Sequence, residues 1–227
     1  MSQHEIVINK DQIHKIPEYF ISNAMRFKKQ MLVYECAVRE ITTKLEILDT
    51  ELGHLTRRNP ISSIKSRVKQ PDSIIQKLIK EGHPLTVESL ENNLSDVAGV
   101  RVICSYIDDI YQLYDMLKSQ DDIEILEIKD YINYPKDNGY RSLHVIVKIP
   151  VFLSTGKHYS KVEIQIRTIA MDFWASLEHE IRYKKNIGSV ETISQDLLDC
   201  ANTIAETDQK MLDIRNSINK LNGDQEQ

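Results

Sequence analysis

The chain has 227 residues, of which 41% are hydrophobic and 28% are charged, and its formal net charge is −5. These proportions fit one globular domain with a sizeable core, and the small numbers of glycine (7) and proline (6) argue against a long linker. The acidic balance excludes a protein that coats nucleic acid at large, because neutralisation of phosphate charge dominates such binding.

The cysteines and the N-terminus indicate a reducing compartment. Cys36, Cys104 and Cys200 are odd in number and far apart, which predicts free thiols. No apolar run approaches the length of a membrane span, and residues 1–10 lack the apolar region of a signal peptide. We therefore expect a cytoplasmic protein that has neither DNA nor a membrane as a partner. The seven histidines show no metal-ligand spacing, so no structural metal is predicted.

Residues 1–59 are predicted to be mainly helical. Pro17 can open a first helix, and Asn59-Pro60 ends the helical region. Between them, apolar residues recur at alternating spacings of three and four. This stripe consists of Met31, Tyr34, Val38, Ile41, Leu45, Leu48, Leu52 and Leu55. Such a stripe indicates a long helix that either covers the core or also forms an interface with another copy of the chain.

Residues 186–227 carry a second stripe of the same kind, which predicts a long C-terminal helix. Its members are Leu197, Ala201, Ile204, Met211, Ile214, Ile218 and Leu221. Asp208 interrupts this stripe. The same two interpretations, core cover and oligomer interface, apply to it.

Residues 60–185 alternate helical and strand patterns, which predicts an α/β (α+β) core with a mixed β-sheet flanked by helices. Helices are predicted over 71–80, over 108–119 and from the capping residue Thr168 to about 185. Strands are predicted over 97–104, 123–128, 143–149 and 162–167, the last two as an antiparallel hairpin. Residues 129–141 are predicted to be a loop. We treat the whole as one domain.

The predicted hairpin has one polar face. Period-two alternation places His144 of one strand and four residues of the next strand on that face. The four are Lys161, Glu163, Gln165 and Arg167. Such a face is ordinarily just solvated, but this mixture of groups also suits a polyphosphate and its metal. Asp96, at the start of an earlier strand, is a candidate to hold Mg²⁺ together with Glu163.

Cations cluster in two further segments. Lys65, Arg67, Lys69, Lys77 and Lys80 lie just before or within the helix over 71–80. They form either a solvated surface or a triphosphate site, because helix N-termini attract anions. In the loop over 129–141, Tyr140 follows Gly139 and can stack on a nucleobase, although it can equally be an ordinary loop tyrosine.

Five segments, in one order, resemble motifs of the RelA/SpoT-type alarmone synthetases. They are RVKQPDS from Arg67, DVAGVR from Asp96, NGYRSLH from Asn138, VEIQIRT from Val162 and the following segment with Trp174, Glu178 and Tyr183. The likeness covers about residues 60–185. Because the chain is short and no hydrolase domain precedes the match, it is most similar to the small, synthetase-only branch.

The resemblance implies a nucleotidyltransferase-like fold and transfer of the β,γ-pyrophosphate of ATP to the 3′-hydroxyl of GTP or GDP. It implies that Glu163 is the catalytic base and that Asp96 and Glu163 bind Mg²⁺. It implies ATP contacts from Arg67, Lys69, Ser73, Lys77, Lys80 and Arg101. It implies acceptor contacts from Lys129, Lys136, Asn138, Tyr140, Arg141, His144, Gln165, Arg167 and Ala175. Lys80 occupies a position where arginine is expected in many relatives, and lysine lacks the planar guanidinium group that makes bidentate contacts.

The resemblance also implies a homotetramer, for which the two helical stripes are suitable, and a regulatory RNA is a possible partner. Two alternatives stay open at the level of sequence. Some relatives transfer pyrophosphate to the 3′ end of tRNA, which would require an exposed basic patch near the acceptor pocket. The chain could also be a non-catalytic module that binds guanine nucleotides or RNA.

Overall fold

The computed structural model of the chain describes residues 16–56, 58–183 and 190–223. Its helices are α1 (Ile16–Thr56), α2 (Pro71–Lys80), α3 (Val87–Asn93), α4 (Ile107–Lys118), α5 (Ile169–Tyr183) and α6 (Val190–Gly223). Its strands are β1 (Ile61–Val68), β2 (Ala98–Cys104), β3 (Glu124–Asp130), β4 (Leu143–Leu153) and β5 (Gly156–Thr168). No helix in these ranges has both the length and the apolar character needed to cross a membrane.

The five strands form one mixed sheet in the order β1-β2-β5-β4-β3. Strands β2 and β5 are parallel, and the other neighbours are antiparallel. This confirms the predicted mixed sheet and the β4–β5 hairpin. The parallel pair places Gly99 opposite Glu163, and the hairpin places His144 opposite Gln165. The start of β2 therefore lies beside the polar row of β5.

One face of the sheet is the core, and α1 covers it. Alternate residues of β2, β4 and β5, such as Val102, Val147 and Ile164, are fully buried there. Most of the predicted α1 stripe is buried against them: Tyr34, Val38, Ile41, Leu45 and Leu48. Leu52 is also buried. Each such side chain contributes about 1.5–3 kcal/mol relative to exposure. Leu55, the last member of the stripe, lies 73% exposed beyond the sheet.

Local signals set the starts of two helices as predicted. Pro71 occupies the first turn of α2, where its missing N–H costs no hydrogen bond, and α2 spans the predicted residues. The Thr168 hydroxyl accepts a hydrogen bond from the Met171 N–H at 3.1 Å and so caps α5. Both helices begin directly beside the polar face of the sheet.

The structure differs from the sequence-based elements in several places. Helix α1 is continuous from Ile16, because Pro17 lies in its first turn, where proline is tolerated. Strand β1 and helix α3 were not predicted: β1 is an edge strand with little alternation, and α3 has seven residues. Strand β3 continues to Asp130, because Lys129 pairs with His144 of β4 and therefore lies on a strand instead of in a loop.

Helix α6 buries its apolar stripe mainly along its first half, and Arg215 in its second half pairs with Asp108 of α4. Ala201 and Asp208 are buried, whereas four later members of its apolar stripe are 49% to 66% exposed. These are Met211, Ile214, Ile218 and Leu221. The domain boundaries predicted near residues 59 and 185 remain a prediction, since residues 57 and 184–189 lie outside the described ranges.

Candidate active site

A cleft of about 160 Å³ opens on the polar face of the sheet, across β1, β2 and β5. Its lining consists of Lys65, Ser66, Arg67, Asp96, Gly99, Val100, Arg101, Glu163 and Gln165. Two carboxylates and three cations therefore share one opening. Gly99 lies opposite Arg67 of β1 and Glu163 of β5, so the absence of a side chain there leaves the floor of the cleft open.

Asp96 is held at one end of this cleft by two lysines. Lys69 Nζ donates to Asp96 Oδ2 at 2.7 Å, and Lys77 Nζ lies 2.8 Å from Oδ1. Burial alone would raise the pKa of Asp96, but the close contacts and charges of the two lysines outweigh it and lower the pKa. The residue is therefore an ionised carboxylate between two ammonium groups.

Glu163 is held by neutral and basic groups on the same face. His144 Nδ1 lies 3.1 Å from Oε1, and Gln165 Nε2 donates to Oε2 at 2.9 Å. Burial would raise the pKa of Glu163, and the charge of Asp96 acts in the same direction. The His144 and Gln165 contacts prevail and lower the pKa. Glu163 is thus ionised at neutral pH, as a metal ligand or general base must be.

The two carboxylates are suited to a divalent cation. Their charges interact unfavourably, since Asp96 opposes the ionisation of Glu163. Asp96 Oδ1 is buried, and although Lys77 lies close, it accepts no hydrogen bond of good geometry. Magnesium commonly takes one or two carboxylates and completes its shell with phosphate oxygens and water. The carboxylates of Asp96 and Glu163 fit this coordination preference.

An aromatic cluster borders Glu163 on the side away from Asp96. The Tyr140 hydroxyl lies 2.8 Å from His144 Nε2 and accepts from Arg167 Nη2 at 2.5 Å. Because a carboxylate only accepts, His144 Nδ1 donates to Glu163. A chain of hydrogen bonds therefore connects Arg167, Tyr140, His144 and Glu163.

The loop before β4 places Tyr140 in this cluster. Lys136 Nζ lies 4.7 Å from the ring centroid of Tyr131 and 5.0 Å from that of Tyr140. Asn138 Oδ1 accepts from the Tyr140 N–H at 3.2 Å, and Asn138 Nδ2 donates to Glu178 of α5 at 3.1 Å. The loop therefore presents an aromatic face, a cation and an amide beside the carboxylate.

Comparison with known proteins decides the family. The family model described as "Region found in RelA / SpoT proteins" matches residues 66–188. GTP pyrophosphokinase YwaC of Bacillus subtilis (strain 168) is 45% identical over 192 residues, which are 85% of this chain and 91% of that protein. The chain belongs to the RelA/SpoT family.

Two solved structures of small alarmone synthetase 1 from Bacillus subtilis share the fold. The one bound to its product pppGpp has a TM-score of 0.77 and 33% identity and covers 85% of this chain and 98% of its own. The one bound to AMPCPP has a TM-score of 0.71 and 30% identity, over 86% and 99% of the two chains. The predicted resemblance to this family is thereby confirmed.

The structure brings many of the residues implied by the RelA/SpoT resemblance into one connected cluster. On the ATP side these are Arg67, Lys69, Lys77 and Arg101, and on the acceptor side Lys136, Asn138, Tyr140, His144, Gln165 and Arg167. Asp96 and Glu163 line the same cleft, Asp96 in contact with the ATP-side lysines and Glu163 in contact with His144 and Gln165. The roles of these residues stay predictions.

Five other residues implied by the RelA/SpoT resemblance lie at the periphery. Ser73 and Lys80 are exposed on α2. Lys129 pairs with Glu127 on β3 at 3.2 Å. Arg141 extends beneath the loop, where Nη1 donates to the Ile132 carbonyl at 3.3 Å. Ala175 is buried beside Trp174, in the small cluster that Tyr140 contacts.

Two acidic residues near this RelA/SpoT site were not singled out for function from the sequence. Asp172, in the first turn of α5, contacts both Arg101 and Arg167. Asp208 of α6 accepts from the Thr168 hydroxyl at 2.5 Å, and burial raises its pKa. The interruption of the α6 stripe by Asp208 was the available signal, whereas only the folded chain brings Asp172 to the two arginines.

Proposed function

We propose that the chain is a (p)ppGpp synthetase that transfers the β,γ-pyrophosphate of ATP to the 3′-hydroxyl of GTP or GDP and releases AMP. The observation that carries the proposal is the position of Glu163. It lies between a lysine–carboxylate cluster suited to a triphosphate and an aromatic loop suited to a nucleobase. The similarity to GTP pyrophosphokinase YwaC and to the pppGpp-bound synthetase supports this assignment.

The donor nucleotide binds on the side of β1, β2 and α2. Arg67 and Arg101 line the cleft there, and guanidinium planes stack well on adenine. Lys69 and Lys77 neutralise the phosphates. Both lysines are pre-positioned by Asp96, at 2.7 and 2.8 Å, so little side-chain order has to be created on binding. Ser73 and Lys80, on exposed parts of α2, add contacts at the rim.

The acceptor nucleotide binds on the side of the Tyr140 loop. The Tyr140 ring is the platform for guanine, and Lys136 lies over the same ring at 5.0 Å from its centroid. Asn138 and Gln165 supply amide donors and acceptors. The remaining acceptor contacts come from Lys129, Arg141, His144, Arg167 and Ala175. Stacking on an aromatic side chain contributes about 1–3 kcal/mol per base.

Asp96 and Glu163 would hold Mg²⁺ between the two nucleotides. When bound, this ion offsets negative charge on the phosphates and helps to align them. The fit rests on the two ionised carboxylates that line one cleft and on the buried Asp96 Oδ1, which accepts no hydrogen bond of good geometry.

The chemistry is an in-line displacement at the β-phosphorus of ATP. The 3′-oxygen of the acceptor forms a bond to that phosphorus while the bond between the phosphorus and the α-phosphate oxygen breaks, and AMP leaves. The Glu163 carboxylate accepts the proton of the 3′-hydroxyl. His144 and Gln165 hold Glu163 in place during this transfer through hydrogen bonds of 3.1 and 2.9 Å. Clamping both nucleotides supplies much of the rate enhancement.

The proposal includes a cytoplasmic homotetramer. The second half of α6 supports it, because Met211, Ile214, Ile218 and Leu221 form an apolar stripe that is exposed in the single chain. Light scattering of the purified protein is expected to give four times the chain mass of 26.3 kDa. A stable monomer at micromolar concentration would contradict this part of the proposal.

The test of the activity is a product assay. The purified protein is incubated with Mg²⁺ and γ-labelled ATP, with GDP, GTP or bulk tRNA in separate tubes. Label in ppGpp or pppGpp, together with an equal amount of AMP, is expected. Label in tRNA alone would replace the proposed acceptor by the tRNA 3′ end, and label in no product would leave a nucleotide-binding module.

A further inference from the structure

Asp172 lies at the meeting point of two arginines that belong to different sides of the cleft. It is in the first turn of α5, and its side chain is 14% exposed. Oδ1 accepts from Arg101 Nη1 at 3.3 Å and from Arg167 Nη1 at 3.2 Å. Lys65 Nζ is 3.8 Å from Oδ2. One carboxylate thus joins β1, β2, β5 and α5.

The two arginines face different groups. Arg101, on β2, lines the cleft together with Arg67. Arg167, on β5, directs Nη2 to the Tyr140 hydroxyl at 2.5 Å and to Gln165 Oε1 at 3.2 Å. The side chain of Asp172 is therefore the link between the cleft wall at Arg101 and the aromatic loop at Tyr140.

The position of both guanidinium groups depends on this carboxylate. Within the described residues, Asp172 is the only acidic residue in salt-bridge distance of Arg101 or Arg167. Burial lowers the pKa of Arg101, the charge of Arg167 lowers it further, and Asp172 opposes both effects. Arg167 is 4% exposed, so water cannot replace the missing charge. Removing one partner of such a group leaves uncompensated buried charge.

We propose that Asp172 is a positioning residue that couples the two nucleotide subsites, so that each nucleotide binds more tightly when the other is bound. This inference rests on the proposed function. Adenine stacked on Arg101 fixes that guanidinium, and the shared Oδ1 then fixes Arg167 and, through it, the Tyr140 hydroxyl. Hydrogen bonds join Arg101, Asp172, Arg167 and Tyr140 in the structure. A nucleotide that restricts the motion of one end of this chain therefore also restricts the other end, and the second nucleotide binds to a site that is already restricted.

Calorimetric titration tests the coupling without turnover. The probe is AMPCPP, in which a methylene group replaces the oxygen between the α- and β-phosphates, so the bond that the reaction breaks is absent. It is titrated in the presence of Mg²⁺, with and without saturating GDP. In the natural chain, GDP is expected to lower the Kd of AMPCPP about 5-fold or more, which is the low end of ordinary coupling between sites. In Asp172→Asn the ratio is expected to fall to about one. The control is Asp122→Asn, which removes a 2.8 Å ion pair with Lys44 outside the cleft.

The outcomes separate this inference from the function itself. If a folded Asp172→Asn protein kept the natural ratio of the AMPCPP Kd without GDP to that with GDP, the coupling role would be overturned. A ratio near one in the natural chain would overturn it as well. If Asp172→Asn fails to give a cooperative thermal transition, Arg167→Gln breaks the same link from the other side, and an unchanged ratio there would overturn it equally. A natural chain that binds both nucleotides but yields no AMP with ATP would contradict the proposed function and leave the coupling measurable.

Discussion

The donor and acceptor sides of the cleft are built in different ways. Most of the donor side comes from residues 67–101, although Arg101 is also held by Asp172 of α5, and it consists of ion pairs: Lys69 and Lys77 contact Asp96 at 2.7 and 2.8 Å. The acceptor side is aromatic, and its tyrosine belongs to a loop that rests on the distant helix α6. A charged subsite can thus be assembled locally, whereas a stacking subsite requires a remote element to hold the loop.

Three contacts tie the acceptor side to α6. Trp174 Nε1 donates to the Leu197 carbonyl at 2.9 Å. The Thr168 hydroxyl, at the end of β5, donates to Asp208. Gly139 approaches α6 so closely that a Cβ at this position would lie 2.5 Å from Ala201 Cβ. Within the described residues, Lys69 and Lys77 pair with Asp96 and Glu81 and form no ion pair with α6, so changes on α6 should affect the acceptor nucleotide more than ATP.

The largest effect is expected at Glu163, where the two sides meet. Glu163→Gln preserves the shape of the side chain but removes the base, so kcat should fall about 10³-fold. The Kd of AMPCPP measured without metal should change by less than about 3-fold, because Asp96 still positions the lysines. The control is Glu124→Gln, which alters a 60% exposed carboxylate paired with Lys148 at the far end of the sheet. A Glu163→Gln protein with near-normal turnover would exclude Glu163 as the base.

A smaller effect, confined to the acceptor nucleotide, is expected at Tyr140. Tyr140→Ala removes the stacking platform, so the KM for GTP or GDP should rise about 10-fold, while the KM for ATP stays within about 2-fold. Tyr140→Phe keeps the ring and loses the hydrogen bonds to His144 and Arg167, and it should keep most of the acceptor affinity. Steady-state kinetics with each nucleotide varied in turn measures both. An unchanged acceptor KM in Tyr140→Ala would refute stacking.

Gly139 tests the dependence of the acceptor side on α6. Gly139→Ala would place a side chain on a residue with a positive φ of 86° and against Ala201. It should destabilise the fold by roughly 1–3 kcal/mol. It should also raise the KM for the acceptor nucleotide a few-fold. Gly82→Ala is the matched control: φ is 74°, but a Cβ there meets no atom within 4 Å. It should therefore show only the backbone strain. Urea unfolding and acceptor kinetics distinguish the two, and equal effects of the two substitutions would contradict the loop–helix contact.

The smallest effect is expected at Lys80, on the rim of the donor side. Lys80 is exposed on α2, whereas Lys77, one turn earlier, lies 2.8 Å from Asp96. Lys80→Ala should raise the KM for ATP by less than about 3-fold, and Lys77→Ala should raise it about 10-fold or more, since contacts of exposed charges are weak. A larger effect for Lys80 than for Lys77 would reverse the assignment of the phosphate contacts.

Side-chain alternation and helix-start residues predicted the parts of the molecule that are set by local sequence. The alternation from Lys161 to Arg167 placed Glu163 on the polar face, and Pro71 marked the start of α2. Strand β1 was not predicted because it is an edge strand without a buried residue, and such a strand shows little alternation. The contacts of Asp172 and the approach of Gly139 to Ala201 could not be predicted, because each joins residues whose proximity depends on how α5 and α6 pack.

In the proposed reaction, the 3′-oxygen of a guanine nucleotide attacks the β-phosphorus of ATP. The most direct test compares GTP, 2′-deoxy-GTP and 3′-deoxy-GTP as acceptors, with ATP labelled at the β- or the γ-phosphate and with AMP quantified. With GTP and 2′-deoxy-GTP, both labels are expected to reach the product in amounts equal to the AMP released, and 3′-deoxy-GTP is expected to give no product. Transfer of the γ-label alone with release of ADP, or product from 3′-deoxy-GTP, would contradict the proposed reaction.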